Sequence, residues 1–232
     1  MTCPIDLQQA DRPRALAATA AGGAVYPVFD DPDGYLRLRA GRPGLRDAKR
    51  YFERRAIRRC LADAGRPGVI CDAPCGPGRL FDLWRDGGAT VLAADLSKDM
   101  VAAAMTALRR LGLAGQVRRG DAFNLAGLFG ECSADVVACV RFCYYFDADR
   151  RVRLLRALAR AARGHVLVQY KTRQTPRGLW NWLRGRLRRG RTRKHHCTAA
   201  EIRDDARRAG LQLRRIQPIG PASDRVFVLL AK

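Results

Sequence analysis

"VICDAPCGPGRLFDLW", residues 69–84, is an apolar run that meets a carboxylate at Asp72 and turns at once through Pro, Cys, Gly and Pro toward a short helix. A dinucleotide loop would need G-x-G-x-x-G. From Gly76 the chain reads Gly-Pro-Gly-Arg-Leu-Phe, so Phe81 stands where a third glycine should let helix and strand close up. Pro77 also removes one N–H from any phosphate cradle. No G-K-[ST] follows, which excludes a P-loop. The bend therefore suits a ligand other than a pyrophosphate.

Outward from this bend, strand and helix patterns alternate. The stretches "GVICDA", "TVLAADLS", "QVRRGDA", "ADVVACVRF" and "HVLVQYK" read as strands. Helical patterns separate most of them, with Ser97 and Asp147 as candidate N-caps. Such alternation predicts a parallel sheet wound by crossovers. The tail differs: "LQLRRIQPIG" and "RVFVLLAK" are joined only by "PASD", which permits a hairpin and so a reversed final strand. Ahead of the bend, "DAKRYFERRAIRRCLADAG" predicts a helix with Tyr51, Ile57, Leu61 and Ala64 on one face, ended by Gly65. Residues 1–45 hold no sustained period and are expected to form a loosely ordered arm before a domain spanning 46–232.

Asp72 closes the first of these strands, Asp95 the second, and Asp121 follows the third. In open α/β sheets, ligands lie above the carboxyl ends of the strands, so all three acids should rise on one edge. Acids there suit a cationic ligand with hydroxyls, because carboxylates offset ammonium or sulfonium charge and accept from a diol.

Asp72-Ala-Pro-Cys-Gly-Pro-Gly78, with an acid closing the next strand, resembles the first motif of class I S-adenosylmethionine-dependent methyltransferases, D-x-G-x-G-x-G, with Pro74 at the first glycine. The resemblance spans residues of about 50–232 and implies a Rossmann-like, doubly wound, mostly parallel seven-stranded sheet whose last strand is reversed. It further implies that Asp72, Ala73, Cys75, Gly76 and Gly78 hold the methionine end of S-adenosylmethionine. Asp95 and Leu96 would serve the ribose, Asp121 and Ala122 the adenine, and Val140 the floor at the fourth strand.

That fourth strand runs into "CVRFCYYFDADRR", residues 139–151, which in such a fold faces the transferable methyl. A related bacterial set carries R-x-x-H-H there; here Arg141 is followed by Tyr144 and Tyr145, so both histidines are absent from those positions. Candidate catalytic residues are Tyr144 and Tyr145, with His195 and His196 as the imidazoles of a later insertion. Methyl transfer to an activated carbon depends chiefly on alignment, and a base is needed only for an acceptor of high pKa.

The insertion covers 172–197. From Arg177 to Lys194 it holds eight basic residues and no acid, with Trp180, Leu183 and Leu187 at helical spacing. It is expected to cover the substrate or to touch an anionic surface: a lipid headgroup at the inner membrane face, or less readily RNA. The formal charge of +22 points the same way, although 39 of the 44 basic residues are Arg, as GC-rich coding produces. The eight cysteines form no CxxC pair, and no metal site is expected. With no apolar run of 18 residues, the expected location is cytoplasmic, with peripheral contact at the inner membrane surface through 177–194.

The expected activity is methyl transfer to an O or N acceptor on a small molecule or lipid-linked compound, which an anionic group would suit. Two alternatives stay open: an RNA methyltransferase, and a non-catalytic methyltransferase-like binding protein.

Overall fold

A computed structural model describes residues 15–19, 25–29, 31–34, 45–187, 194–220 and 223–232. Most of the N-terminal arm, and residues 188–193 of the basic insertion, lie outside the described residues. Within the arm, β1 (Ala15–Thr19) and β2 (Val25–Phe29) pair as an antiparallel hairpin.

The rest follows in order: α1 (Leu45–Asp63), β3 (Val69–Asp72), α2 (Phe81–Asp86), β4 (Thr90–Asp95), α3 (Lys98–Arg110), β5 (Gly115–Arg119), α4 (Leu125–Phe129) and β6 (Ala134–Cys139). Then come α5 (Ala148–Ala161), β7 (Ala162–Thr172), α6 (Pro176–Leu187), β8 (His196–Cys197), α7 (Ala199–Arg208), β9 (Gln212–Pro218) and β10 (Arg225–Ala231). The main sheet runs β5-β4-β3-β6-β7-β10-β9. Pairings among β3 to β7 are parallel, while β10 is antiparallel to both neighbours, so the reversed strand is β10 as expected. A two-residue strand, β8, adds an eighth by pairing with the end of β7.

The strands are apolar on both faces because helices cover both. Ile70, Val136 and Leu167 pack with Ile57 of α1 and Trp84 of α2. Their chain neighbours Cys71, Val137, Val166 and Val168 pack with Leu154 and Leu158 of α5 and Ile202 of α7. This one-residue alternation is the period of a pleated strand. Ser97 caps α3 by accepting from the Met100 N–H, and Asp147 caps α5 by accepting from the Arg150 N–H.

Of the face anticipated for α1, Ile57 is buried and Leu61 and Ala64 pack against the core, but Tyr51 does not. Tyr51 is exposed, whereas Glu53, Ala56, Ile57 and Cys60 are buried at i, i+3, i+4 and i+7. A carboxylate in that stripe requires charged partners across the interface, and it has them, as described below.

Candidate active site

The bend after β3 is clamped between strands. The Ala73 N–H donates to the Ala138 carbonyl at the end of β6, and the Cys75 N–H to the Ala94 carbonyl of β4, both at 2.9 Å. Gly76 and Gly78 both adopt positive φ, 54° and 74°. A Cβ at Gly78 would lie 2.7 Å from the Phe81 ring, so the phenyl that replaces a third glycine fills the room above the second. A Cβ at Gly76 would meet nothing within 4 Å; that side of the bend is open.

The three acids step along one edge. Asp72 pairs in register with Ala93, two residues before Asp95, and Asp95 pairs with Arg119, two residues before Asp121. Asp72 is buried and accepts from Trp84 Nε1 at 2.9 Å. Burial raises its pKa to about 7, with the Asp95 charge acting in the same direction and the Trp84 hydrogen bond and Arg79 against it. Asp95 accepts from the Gly76 N–H through Oδ2 at 2.8 Å and from the Ser97 N–H through Oδ1 at 3.0 Å. Asp121 caps the turn Ala122–Asn124 by accepting from the Phe123 N–H at 2.9 Å. Cys75, Ala122 and Val140 are buried and Leu96 partly so. Burial holds the Cys75 thiol well above its usual pKa, in its neutral form.

The candidate catalytic residues converge although the two pairs are far apart in the chain. Tyr144 and Tyr145 form a short turn after β6, and the Tyr144 carbonyl accepts the His195 N–H at 2.7 Å. The Lys171 ammonium lies 5.9 Å from the Tyr144 ring and the Lys194 ammonium 5.9 Å from the Tyr145 ring. His196 pairs in register with Lys171 and is buried. Its Nε2 lies 3.4 Å from Asp224 Oδ2, while Nδ1 has no hydrogen-bond partner among the described residues. The same Asp224 carboxylate accepts from Lys171 Nζ and from Asn181 of α6. These donors hold it ionised, far below the usual carboxylate range.

Sequence reading missed four contributors: Trp84 beneath Asp72, Asp224 behind His196, and Glu53 with Arg225 at the base of the wall. Only Glu53 left a signal, as an acid in register with Ala56, Ile57 and Cys60. A cavity of about 520 Å³ lined by Pro67, Ile70 and Trp84 opens at the amino edge of the strands, away from these acids. Among the described residues no group of three or more Cys, His, Asp or Glu could hold a metal ion, and no helix is long and apolar enough to cross a membrane.

A family model described as "Methyltransferase domain" matches residues 70–164. A malonyl-[acyl-carrier protein] O-methyltransferase from Pseudescherichia vulneris is 42% identical over 57 residues, 24% of this chain and 23% of that one. The match thus spans under a quarter of that relative. Among solved structures, magnesium protoporphyrin IX methyltransferase from Synechocystis with bound SAH has a TM-score of 0.65 at 21% identity, over 85% of this chain and 92% of the other. An S-adenosylmethionine-dependent methyltransferase from Clostridium acetobutylicum gives 0.64 at 13% identity, over 86% and 98%. An O-methyltransferase from neocarzinostatin biosynthesis, in complex with SAH and 1,4-dihydroxy-2-naphthoic acid, gives 0.57 at 24% identity, over 70% and 48%. At these identities the structural likeness shows the fold, an α/β sheet wound as in these methyltransferases, and the matched segment gives residues 70–164 as similar to a methyltransferase domain.

Proposed function

We propose that this protein transfers a methyl group from S-adenosylmethionine to an O or N acceptor on an acidic small molecule or lipid-linked compound. The observation that carries the reading is the row of Asp72, Asp95 and Asp121 beside the open flank of Gly76. When bound, the cofactor supplies an electrophilic methyl on a sulfonium. Asp72, buried and without a full counter-charge, receives the amino-acid ammonium. Asp95, the acid that closes β4, would accept from the ribose diol, and Asp121 and Ala122 would border the adenine. Cys75, Leu96 and Val140 exclude water.

On the acceptor side, an ionised Asp224 requires His196 Nε2 to carry the proton, which leaves Nδ1 as a base. His196 then takes the proton from the acceptor hydroxyl or amine, and Tyr144 and Tyr145 orient it. An O acceptor on an acidic compound agrees with two similar proteins, a malonyl-[acyl-carrier protein] O-methyltransferase and an O-methyltransferase in complex with 1,4-dihydroxy-2-naphthoic acid.

The reading extends to a surface. On α6, Gly178, Asn181 and Trp182 face the body, Asn181 through Asp224 and Trp182 against Arg173 at 5.5 Å. Leu179, Trp180 and Leu183 are turned outward at 46%, 62% and 45% exposure, with Arg177 and Arg184 also exposed. An apolar face rimmed by arginines suits an anionic bilayer surface.

Isothermal titration with S-adenosylhomocysteine tests the donor, and mass spectrometry for a gain of one CH2 across a panel of hydroxy and amino acids tests the transfer. No heat with S-adenosylhomocysteine at millimolar concentration would reject the proposal.

A further inference from the structure

Glu53 presents a carboxylate only 4% exposed, and both oxygens are taken. Arg79 donates to Oε2 at 2.7 Å, and Arg141 donates to Oε1 at 3.0 Å and to Oε2 at 3.1 Å. A third guanidinium, from Arg225, stands 3.9 Å from Oε1, too far for a hydrogen bond. Glu53 is thus near Arg225 without accepting from it. Among the described residues the Arg225 guanidinium donates no hydrogen bond, and its side chain keeps 24% of its surface open. Burial and the neighbouring Arg141 lower its pKa.

Its backbone stands apart from the glycine bend, although its guanidinium and that of Arg79 converge on Glu53. Arg225 opens β10, three strands from β3 in the order β3-β6-β7-β10, or about 14 Å at the usual strand spacing. It lies opposite Lys171 in the antiparallel register, so both side chains leave the same face of the sheet. Lys171 lies against the Tyr144 ring, and Tyr144 also acts on Arg225. The adjacent carboxylate of Asp224 is engaged by Lys171, Asn181 and His196.

We propose that Arg225, with Arg141 beside it, is an anion seat that holds a carboxylate or phosphate group of the methyl acceptor. The inference rests on the proposed methyl transfer and adds the charge of its substrate. A guanidinium fork matches either anion with paired hydrogen bonds, and a bound anion supplies the acceptors that the Arg225 guanidinium lacks among the described residues. Burying a guanidinium without hydrogen-bond acceptors is costly, and an anionic substrate recovers part of that cost on binding.

The test titrates malonate and inorganic phosphate, at constant ionic strength set with chloride, into protein with and without saturating S-adenosylhomocysteine. Wild type should bind at least one anion saturably, Arg225→Gln should bind it about tenfold more weakly or worse, and Arg225→Lys should fall between. All three should bind S-adenosylhomocysteine within about twofold of one another. Wild type that takes neither anion overturns the proposal, as does Arg225→Gln that binds both unchanged. Loss of S-adenosylhomocysteine affinity in Arg225→Gln, with 5′-methylthioadenosine affinity retained, also overturns it, because the seat then serves the donor's own carboxylate. Anion binding that depends on Arg225 in a protein that takes no S-adenosylhomocysteine leaves the seat standing and removes the methyl-transfer reading. Arg225→Gln should unfold no lower than wild type, since it removes a guanidinium without hydrogen-bond acceptors among the described residues; were it not to fold, Arg225→Lys carries the comparison alone.

Discussion

The Gly76 N–H donates to Asp95 Oδ2 at 2.8 Å, so the acid that ends β4 also fastens the bend that follows β3. Asp95 in addition holds the Ser97 N–H at the start of α3. From sequence, Asp95 was expected only to meet a ligand; it also builds the place where the ligand would sit. Asp95→Ala should therefore weaken S-adenosylhomocysteine binding and lower stability by about 1–3 kcal/mol, because two backbone donors lose their acceptor. Calorimetric titration and urea unfolding measure the two effects separately. An unchanged affinity would show the pocket to be elsewhere.

Asp72 gives a pH dependence of definite sign. Its folded pKa is raised to about 7, so its neutral form is favoured in the free protein, and that contribution to stability is lost as pH rises through 7. A ligand ammonium beside it needs the charged form. Affinity for S-adenosylhomocysteine should consequently be about tenfold weaker at pH 6 than at pH 8, with proton release detectable in buffers of different ionisation enthalpy. Asp72→Asn keeps an acceptor for Trp84, should flatten this profile, and should lose about 1.5–3 kcal/mol of binding.

Glu53 has the opposite sign. Its pKa falls from 4.5 to about 2: burial alone would raise it, but Arg79, Arg141 and Arg225 together outweigh burial. The ionised form contributes about 3 kcal/mol above pH 4.5, and this is lost as pH falls toward 2. Glu53→Gln should cost about 3–5 kcal/mol at pH 7 by stranding buried guanidiniums. The gap from wild type should narrow between pH 5 and pH 2 in thermal unfolding.

His196 and Asp224 should act as a pair in turnover. With an alcohol acceptor, His196→Gln should lower kcat by about 10²–10⁴, while S-adenosylhomocysteine affinity stays constant. Asp224→Asn keeps one carbonyl oxygen but loses the charge that holds Lys171, Asn181 and His196 together, so it should lower activity through the tautomer and weaken the hold on α6. A parallel loss of fold and activity in both variants would assign them a structural role only.

The outward face of α6 predicts binding to vesicles containing phosphatidylglycerol and not to purely zwitterionic ones. Trp180→Ala with Leu183→Ser should reduce flotation with such vesicles by about tenfold, at unchanged S-adenosylhomocysteine affinity. Retention on RNA in place of vesicles at physiological salt would reassign this face.

The succession of strands and helices and the three acids could be read directly because their signals are local. Each strand announces itself within a few residues by period, and each acid is the residue that ends or follows its strand. The Phe81 substitution was visible as a departure from a motif, but its physical sense, a ring seated on Gly78, needed coordinates. Sequence reading puts Tyr51 with Ile57, Leu61 and Ala64 on the buried face of α1. The structure buries Glu53 there instead, as three arginines from the glycine bend, the β6 end and β10 converge on it.

What the amino-acid order determined alone is the winding of the sheet, the reversal of its last strand and the row of carboxylates on one edge, since hydrophobic period and short connections act over neighbouring residues. What only tertiary structure decided is which distant charges meet. Arg225 reaches Glu53, Asp224 reaches His196, and Tyr144 accepts from His195 because β6, β7 and β10 lie side by side while their residues are far apart in the chain. Ion pairing and hydrogen bonding depend on separation in space, and no pattern along the chain encodes that separation before the sheet is assembled.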